Sequence, residues 1–413
     1  MSLLNNWHLR PGLYNGFKGN NHTLGLFGKK AVFALLRATQ EVAFYESKQK
    51  GSGNTLKLLH VGDFSRGRDF IERLYGYLPE GQVIGKRFAW PNPDCIDSFN
   101  IDHDVVMIEI NRLYAEKFRH AGYLTIPEWV VFGREVVKNP EARYAEAHKS
   151  LKSDLNKIRR SDLQIFITKN HEDFSLFYEK MYLPYVLKRF GDRMIAKSRR
   201  RLKRDFLSGF LMLVRHEKKS IAGALVRIEG DQVTETTLGV LDGAEEFSKM
   251  GVSGLIDYHL HEWAAANNKS FINVGHTRPF PLDGIFFNKR KWLMSVMPDY
   301  DGVMDMAVKF SRENKRIAAA LKNYPFVFQN RSGLGIFYTH IGPGKVSMGE
   351  IRKIWRQLWV KGLEHLIILS PQGYQEKAIA KARKLFGQNI RLLTKIGQAV
   401  ELQKGNKICE SLE

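Results

Sequence analysis

The sequence predicts an α/β (α+β) protein whose centre is a mixed, largely antiparallel sheet flanked by helices. Short β-rich runs recur along most of the 413 residues and alternate with helical stretches. Near the middle, two polar turns join three consecutive β-rich runs into a meander. A hydrophobic fraction of 44% and a charged fraction of 26% belong to a folded globular chain, and the length suggests two or three domains.

Residues 1–54 read as a Gly- and Asn-rich start followed by a helical segment. Lys29, Lys30 and Arg37 interrupt the apolar stretch Leu24–Phe44, which makes it an amphipathic helix and not a membrane span. Gly51-Ser-Gly-Asn54 is a hinge by composition. Residues 55–140 form an α/β module, with strands predicted at Leu56–Val61, Asp104–Ile110 and Pro127–Phe132 and a helix at Arg68–Leu78.

Residues 141–300 carry the central sheet. A charged helix over Ala142–Arg160 leads to a strand at Leu163–Thr168 and a helix at Glu172–Leu187. The meander follows: Gly209–Arg215, a turn at His216–Ser220, Ile221–Ile228, a turn at Gly230-Asp231, and Thr234–Val240. Gly251-Val-Ser-Gly254 opens a helix to Ala266, and Phe271–Val274 is the next strand. Residues 301–413 repeat the alternation as a small C-terminal α/β unit, with strands at Phe326–Phe328, Gly335–His340, His365–Leu369 and Ile390–Lys395 and helices at Met348–Trp359 and Gln375–Phe386.

Composition excludes several function classes. Only Cys95 and Cys409 are present, so neither a disulfide scaffold nor a cysteine-rich zinc site is available. His259 and His261 stand two apart on a helix and face different ways, so no metal is expected. The start of the chain lacks the charged-then-apolar pattern of a secretory signal. A cytoplasmic location is expected, with a peripheral position at the inner membrane face as its variant. The net charge of +21 favours anionic partners. From Lys180 to Arg204 ten Lys/Arg stand against one acid, Asp192. That run reads as a solvated face, a nucleic-acid footprint, or a patch for an anionic membrane or acidic carrier protein.

The middle order resembles the GNAT acyltransferase fold as used by its FemAB-like branch. The likeness rests on Leu151-Lys-Ser-Asp-Leu-Asn-Lys-Ile-Arg-Arg160, on Ala222-Gly-Ala224 with Gly239-Val-Leu-Asp-Gly243, and on Gly275-His-Thr-Arg-Pro-Phe-Pro-Leu-Asp-Gly284 followed by Phe287-Asn-Lys-Arg-Lys-Trp292. In the last segment Lys289 and Trp292 match the family pattern, whereas Asn288 and Leu293 depart from it. The resemblance implies transfer of an acyl or aminoacyl group, from acyl-CoA or aminoacyl-tRNA, to a small-molecule or peptide amine. It further implies that residues 55–140 are a degenerate first GNAT-like module. The alternative is a catalytically silent GNAT-fold module that binds an anionic polymer or a membrane.

Acyl transfer to an amine needs a partner for the oxyanion, an acceptor for the amine proton and an anchor for the donor. Lys289, at the family's lysine position, and Arg278 are candidates for the first, and Asp283 for the second, with a plain turn as its bland reading. As an exposed charge, Lys289 is expected to contribute little to stability. Lys249, Gly251, Ser253 and Gly254 are candidates for a phosphate anchor at a helix start, against plain capping by Ser253. Tyr178, Tyr182 and Trp292 are candidates for a substrate groove, against core packing for the two tyrosines.

Overall fold

The computed structural model describes residues 39–403 except 51, 89–91, 100, 140–143, 145–148, 192–195, 311–314 and 323. It holds three sheets in two compact units. Unit 1 comprises the chain up to Val130, Arg278–Phe286 and Pro298 onward; unit 2 comprises Val131–Thr277 and Phe287–Met297.

In unit 1, β1 (Thr39–Lys48), β2 (Thr55–Val61), β3 (Gln82–Phe88), β4 (Val105–Asn111), β5 (Leu124–Pro127) and β13 (Met304–Phe310) form one sheet, in the order β3-β1-β2-β4-β13-β5. Every residue of β4 is buried, so its sequence opens as an apolar run, Val105–Ile108, rather than an alternation, with Glu109 and Asn111 as buried polar residues. Helix α1 (Phe64–Tyr75) starts where Asp63 caps Ser65 N–H and stops at Gly76, whose φ of 79° suits glycine. It buries Phe70, Ile71, Leu74 and Tyr75 in the core shared with Leu56, Leu58 and Met107, each side chain stabilising by roughly 1.5–3 kcal/mol.

Three expectations are corrected here. Of the helix expected over Leu24–Phe44, residues 24–38 lie outside the described residues and Thr39–Phe44 belong to β1. Antiparallel neighbours on both sides, β2 and β3, override the local helical pattern. The helix expected at Arg68–Leu78 begins four residues earlier, at Phe64 behind its Asp63 cap, and ends three earlier, at Tyr75. The single strand expected over Pro127–Phe132 is two, β5 and β6 (Val130–Glu135), in different sheets.

The third sheet, also in unit 1, is β14 (Phe326–Gln329), β15 (Leu334–Thr339), β16 (Leu363–Leu369) and β17 (Ile390–Leu393). The last three are parallel, and helices at Met348–Leu358 and Glu376–Phe386 make the crossovers that parallel pairing requires.

Unit 2 is built on β6, β7 (Gln164–Thr168), β8 (Gly209–His216), β9 (Lys219–Glu229), β10 (Gln232–Val240), β11 (Phe271–Thr277) and β12 (Ser295–Pro298). Their order is β12-β6-β11-β10-β9-β8-β7. The expected meander is present, because β7 to β10 pair antiparallel in succession. Its first turn is tighter than expected: Glu217 and Lys218 alone reverse the chain, both with positive φ (47° and 67°), the twist a two-residue hairpin needs.

Helix α2 (Lys149–Arg160) buries Leu151 and Leu155. The helix expected over Glu172–Leu187 is interrupted: α3 (His171–Leu176) runs into a π-turn at Phe177–Tyr182 and then α4 (Leu183–Phe190). The π-turn lies directly on the sheet. A Cβ at Gly239 would stand 2.7 Å from the Tyr182 nitrogen, and one at Gly243 2.9 Å from the Pro184 carbonyl. The Gly239-to-Gly243 motif is therefore a place where helix backbone meets sheet backbone. Helix α5 (Arg199–Leu207) precedes β8, and α6 (Val252–Ala266) packs against β8, β9 and β11. Among the described residues no helix is long and apolar enough to cross a membrane.

Candidate functional site

In the central sheet of unit 2 the antiparallel run β7 to β10 ends at β11. β10 and β11 run parallel, but they pair only over Gln232–Thr234 against Phe271–Asn273. Beyond that point β10 continues to Val240 and β11 to Thr277. Two local devices mark the divergence. On β10 the register against β9 jumps between Glu235 and Thr237, leaving Thr236 as a bulge. On β11 the Asn273 side chain accepts from Gly275 N–H at 2.8 Å, and Gly275 takes a φ of 77°.

Three ionisable groups meet at this divergence. Lys289, on helix α7 (Gly284–Lys291), donates from Nζ to the carbonyls of Gly275 (2.9 Å) and His276 (3.1 Å), and lies 5.7 Å from the Phe132 ring. Burial lowers its pKa to about 8, with Glu235 opposing the shift and Lys197 adding to it. Burial raises the Glu235 carboxyl to about 7, Asp257 adding to the shift while Lys289, Arg134 and Lys197 oppose it. Lys197 donates from Nζ to the bulge carbonyl of Thr236, and its own N–H donates to Tyr182 Oη at 2.7 Å. Burial, with Arg201 next in size, brings Lys197 down to about 8. Behind them Arg134, only 1% exposed, forks onto Asp257: Nη1 donates to Oδ2 at 2.8 Å and Nη2 to the backbone carbonyl at 2.9 Å.

This arrangement can move protons near neutral pH. A carboxylic acid at about 7 and two ammonium groups at about 8 exchange protons at little cost where ordinary side chains of their kind do not. Two of the three Lys289 protons go to carbonyls, which aims the ammonium. Sequence reasoning found Lys289 but missed Glu235 and Lys197. For Glu235 one signal was available, an acid inside a β-rich run of threonines and valines.

The other expected residues lie as follows. Arg278 and Asp283 belong to unit 1 and are ion-paired there, Arg278 with Asp69 (3.1 Å) and Asp283 with Arg73 (2.5 Å). Asp283 N–H also donates to the Phe280 carbonyl, as in a turn. Gly251 is the N-cap of α6 at a φ of 88°, with open space where a side chain would stand. Ser253 does not cap the helix and is exposed. Lys249 is exposed and paired with Glu245 at 3.1 Å. Gly254 lies under the Trp292 indole, 2.5 Å from where its Cβ would be.

Trp292 is 2% exposed and meets Tyr144 edge-on at 6.0 Å, so it packs in the core rather than at the rim of a cleft. Trp292→Ala is expected to destabilise the protein by roughly 3–5 kcal/mol, measured by denaturant unfolding; a loss near zero would return Trp292 to the surface. Tyr182 is buried and its ring stands 5.8 Å from that of Tyr178, which keeps part of its surface exposed.

No family model and no curated protein matches the chain. Solved structures similar to it include FemX, at 12% identity and a TM-score of 0.35, over 64% of this chain and 84% of that one. L-PGS from Bacillus licheniformis gives 12% identity and a TM-score of 0.33, over 73% of this chain and 92% of that one. A GCN5-related N-acetyltransferase from Sphaerobacter thermophilus gives 10% and 0.29, over 63% and 78%. At such TM-scores the likeness carries no weight for chemistry, which rests on the half-buried groups of unit 2.

Proposed function

We propose that the chain is an acyltransferase of the FemAB-like GNAT type, which moves an acyl or aminoacyl group from a thioester or tRNA ester to an amine where β10 and β11 part. The observation that carries this reading is the meeting of Glu235, Lys289 and Lys197, all titrating near neutrality, at one break in the sheet.

The roles follow from the charges. An amine acceptor arrives as an ammonium ion and must lose a proton before it attacks. Glu235, ionised above about 7, accepts that proton. The nitrogen lone pair then forms the new bond to the acyl carbon, and the carbonyl oxygen becomes an oxyanion. The remaining Lys289 proton stabilises that oxyanion at a half-buried position, where the attraction exceeds that in bulk water. The carbon–sulfur or carbon–oxygen bond to the donor breaks as the oxyanion collapses, and the second proton that the attacking nitrogen must lose passes to the leaving group, directly or through solvent. Lys197 holds the bulge that presents Glu235 and is a positioning residue.

Two features bear on the donor. The amides at the start of α6, with open space over Gly251, suit a phosphate of coenzyme A. On α5, Arg200, Arg201, Lys203 and Arg204 are all exposed, which suits a polyanion such as tRNA. The same exposed charges favour the second reading, a module that binds an anionic polymer or membrane without catalysis. The reading includes a cytoplasmic location, at the inner membrane face or away from it.

Melting the full chain with coenzyme A, with tRNA and with anionic lipid vesicles separates these readings. A ligand at 100 times its Kd stabilises by about 2.7 kcal/mol. The transferase reading expects coenzyme A or tRNA to raise the Tm, and the matching charged donor to acylate an amine, followed by mass spectrometry. No shift with either and no product from either donor would overturn it. A shift with vesicles or tRNA without transfer would favour the silent module.

A further inference from the structure

The helical layer on one face of the unit 2 sheet exposes apolar side chains among its cations. Helix α3, the π-turn, α4 and α5 share one core, in which Phe174, Phe177, Val186, Leu202 and Phe206 meet Leu211 and Leu213 of the sheet. The residues left outside that core are largely basic: Lys180, Lys188, Arg189, Arg200, Lys203 and Arg204 are all exposed. On α5, Arg200, Lys203, Arg204 and Leu207 recur at helical spacing and so form one face, turned away from buried Leu202 and Phe206.

The apolar side chains stand on the same outside. Leu187 is 58% exposed and Leu207 66%, and Leu176 and Phe190 are exposed as well. Single exposed apolar side chains are ordinary, but these share one basic layer, and Leu187 and Phe190, three apart, share one face of α4. The acids of the layer do not neutralise its cations. Asp173 accepts from Thr168 Oγ1 at 2.8 Å, Glu179 pairs with Arg199 at 2.8 Å and Asp205 with Arg227 at 3.6 Å. Arg200, Lys203 and Arg204 have no carboxylate partner among the described residues.

An anionic bilayer suits both properties, because its phosphates attract the cations and its interfacial region takes up apolar side chains. A polynucleotide suits only the charge. Stacking of bases needs open aromatic faces, and Arg199 and Arg189 already lie over the Tyr178 and Tyr185 rings, at 5.8 and 5.6 Å. We propose that the outer face of α3, α4 and α5 docks the protein on a membrane surface rich in anionic phospholipid. Arg200, Lys203 and Arg204 lie against the headgroup phosphates, and Leu187 and Leu207 enter the boundary beneath them. This narrows the anionic-partner reading of α5 to a lipid surface and stands whether or not unit 2 transfers an acyl group.

Flotation of the full chain with vesicles, read without any acyl donor, tests it. Binding is expected to vesicles of phosphatidylglycerol and phosphatidylcholine in equal parts, and not to phosphatidylcholine alone. Arg200→Gln, Lys203→Gln and Arg204→Gln combined are expected to weaken that binding by about a hundredfold. Leu187→Gln with Leu207→Gln is expected to weaken it by about tenfold, since two apolar side chains no longer leave water. Should the triple variant fail to fold, the leucine pair, both exposed, carries the test. No binding to the anionic vesicles, or unchanged affinity in either folded variant, would overturn the proposal. If the vesicles fail and tRNA binds until the three charges are removed, the face is a nucleic-acid footprint and the proposal falls.

Discussion

Replacing Glu235 by glutamine is expected to lower transfer turnover by roughly 10²–10⁴-fold, the usual loss when a general base is removed. In the unaltered protein kcat/KM should rise about tenfold per pH unit up to about 7, because only the ionised carboxylate accepts a proton, and fall again above about 8 as Lys289 loses its charge. Glu235→Gln should abolish the rising limb. Stability should move the other way. The folded carboxyl titrates near 7 rather than at the ordinary glutamate value, so the folded state binds more protons than the unfolded state between those limits. Its contribution is complete below the unfolded value and is lost as pH rises through about 7. Glutamine never ionises, so Glu235→Gln should melt higher than the unaltered protein at pH 8, with the difference narrowing at pH 5. A variant that stays active, or that melts lower at pH 8, would remove Glu235 from the site.

Lys289→Met is expected to lower turnover by roughly a hundredfold, the scale for losing one preorganised donor to an oxyanion. The pH profile gives the sharper test. The Lys289 charge holds the Glu235 pKa down, so its removal should push that pKa up and displace the acid limb to higher pH. A purely structural lysine would not move that limb. Lys291 is the control: it pairs with Asp154, and Lys291→Met should leave the limb in place. If both variants behave alike, the segment is a general basic patch and the assignment fails. The expectation that Lys289 contributes little to stability does not survive the structure. Its ammonium satisfies two backbone carbonyls, and methionine would leave both without that donor.

By itself the sequence determined the elements whose causes are local. The meander could be read because the turns at Glu217-Lys218 and Gly230-Asp231 and the β-rich runs between them are written in consecutive residues. The same holds for α6, the C-terminal alternation of strands and helices, and the basic exposed face of α5. Lys289 could be named from its motif. What only the tertiary structure decided depends on neighbours far along the chain. β13 pairs with β4 and β5 although some 190 residues separate it from β4, and no local pattern announces such a pairing. Trp292 is core because Gly254 leaves room for its indole, and Arg278 and Asp283 are claimed by Asp69 and Arg73 in unit 1. Glu235 is the plainest case. Its residue type is visible in the sequence, but its chemistry comes from desolvation and from the charges of Asp257, Lys289, Arg134 and Lys197, which only folding gathers around it.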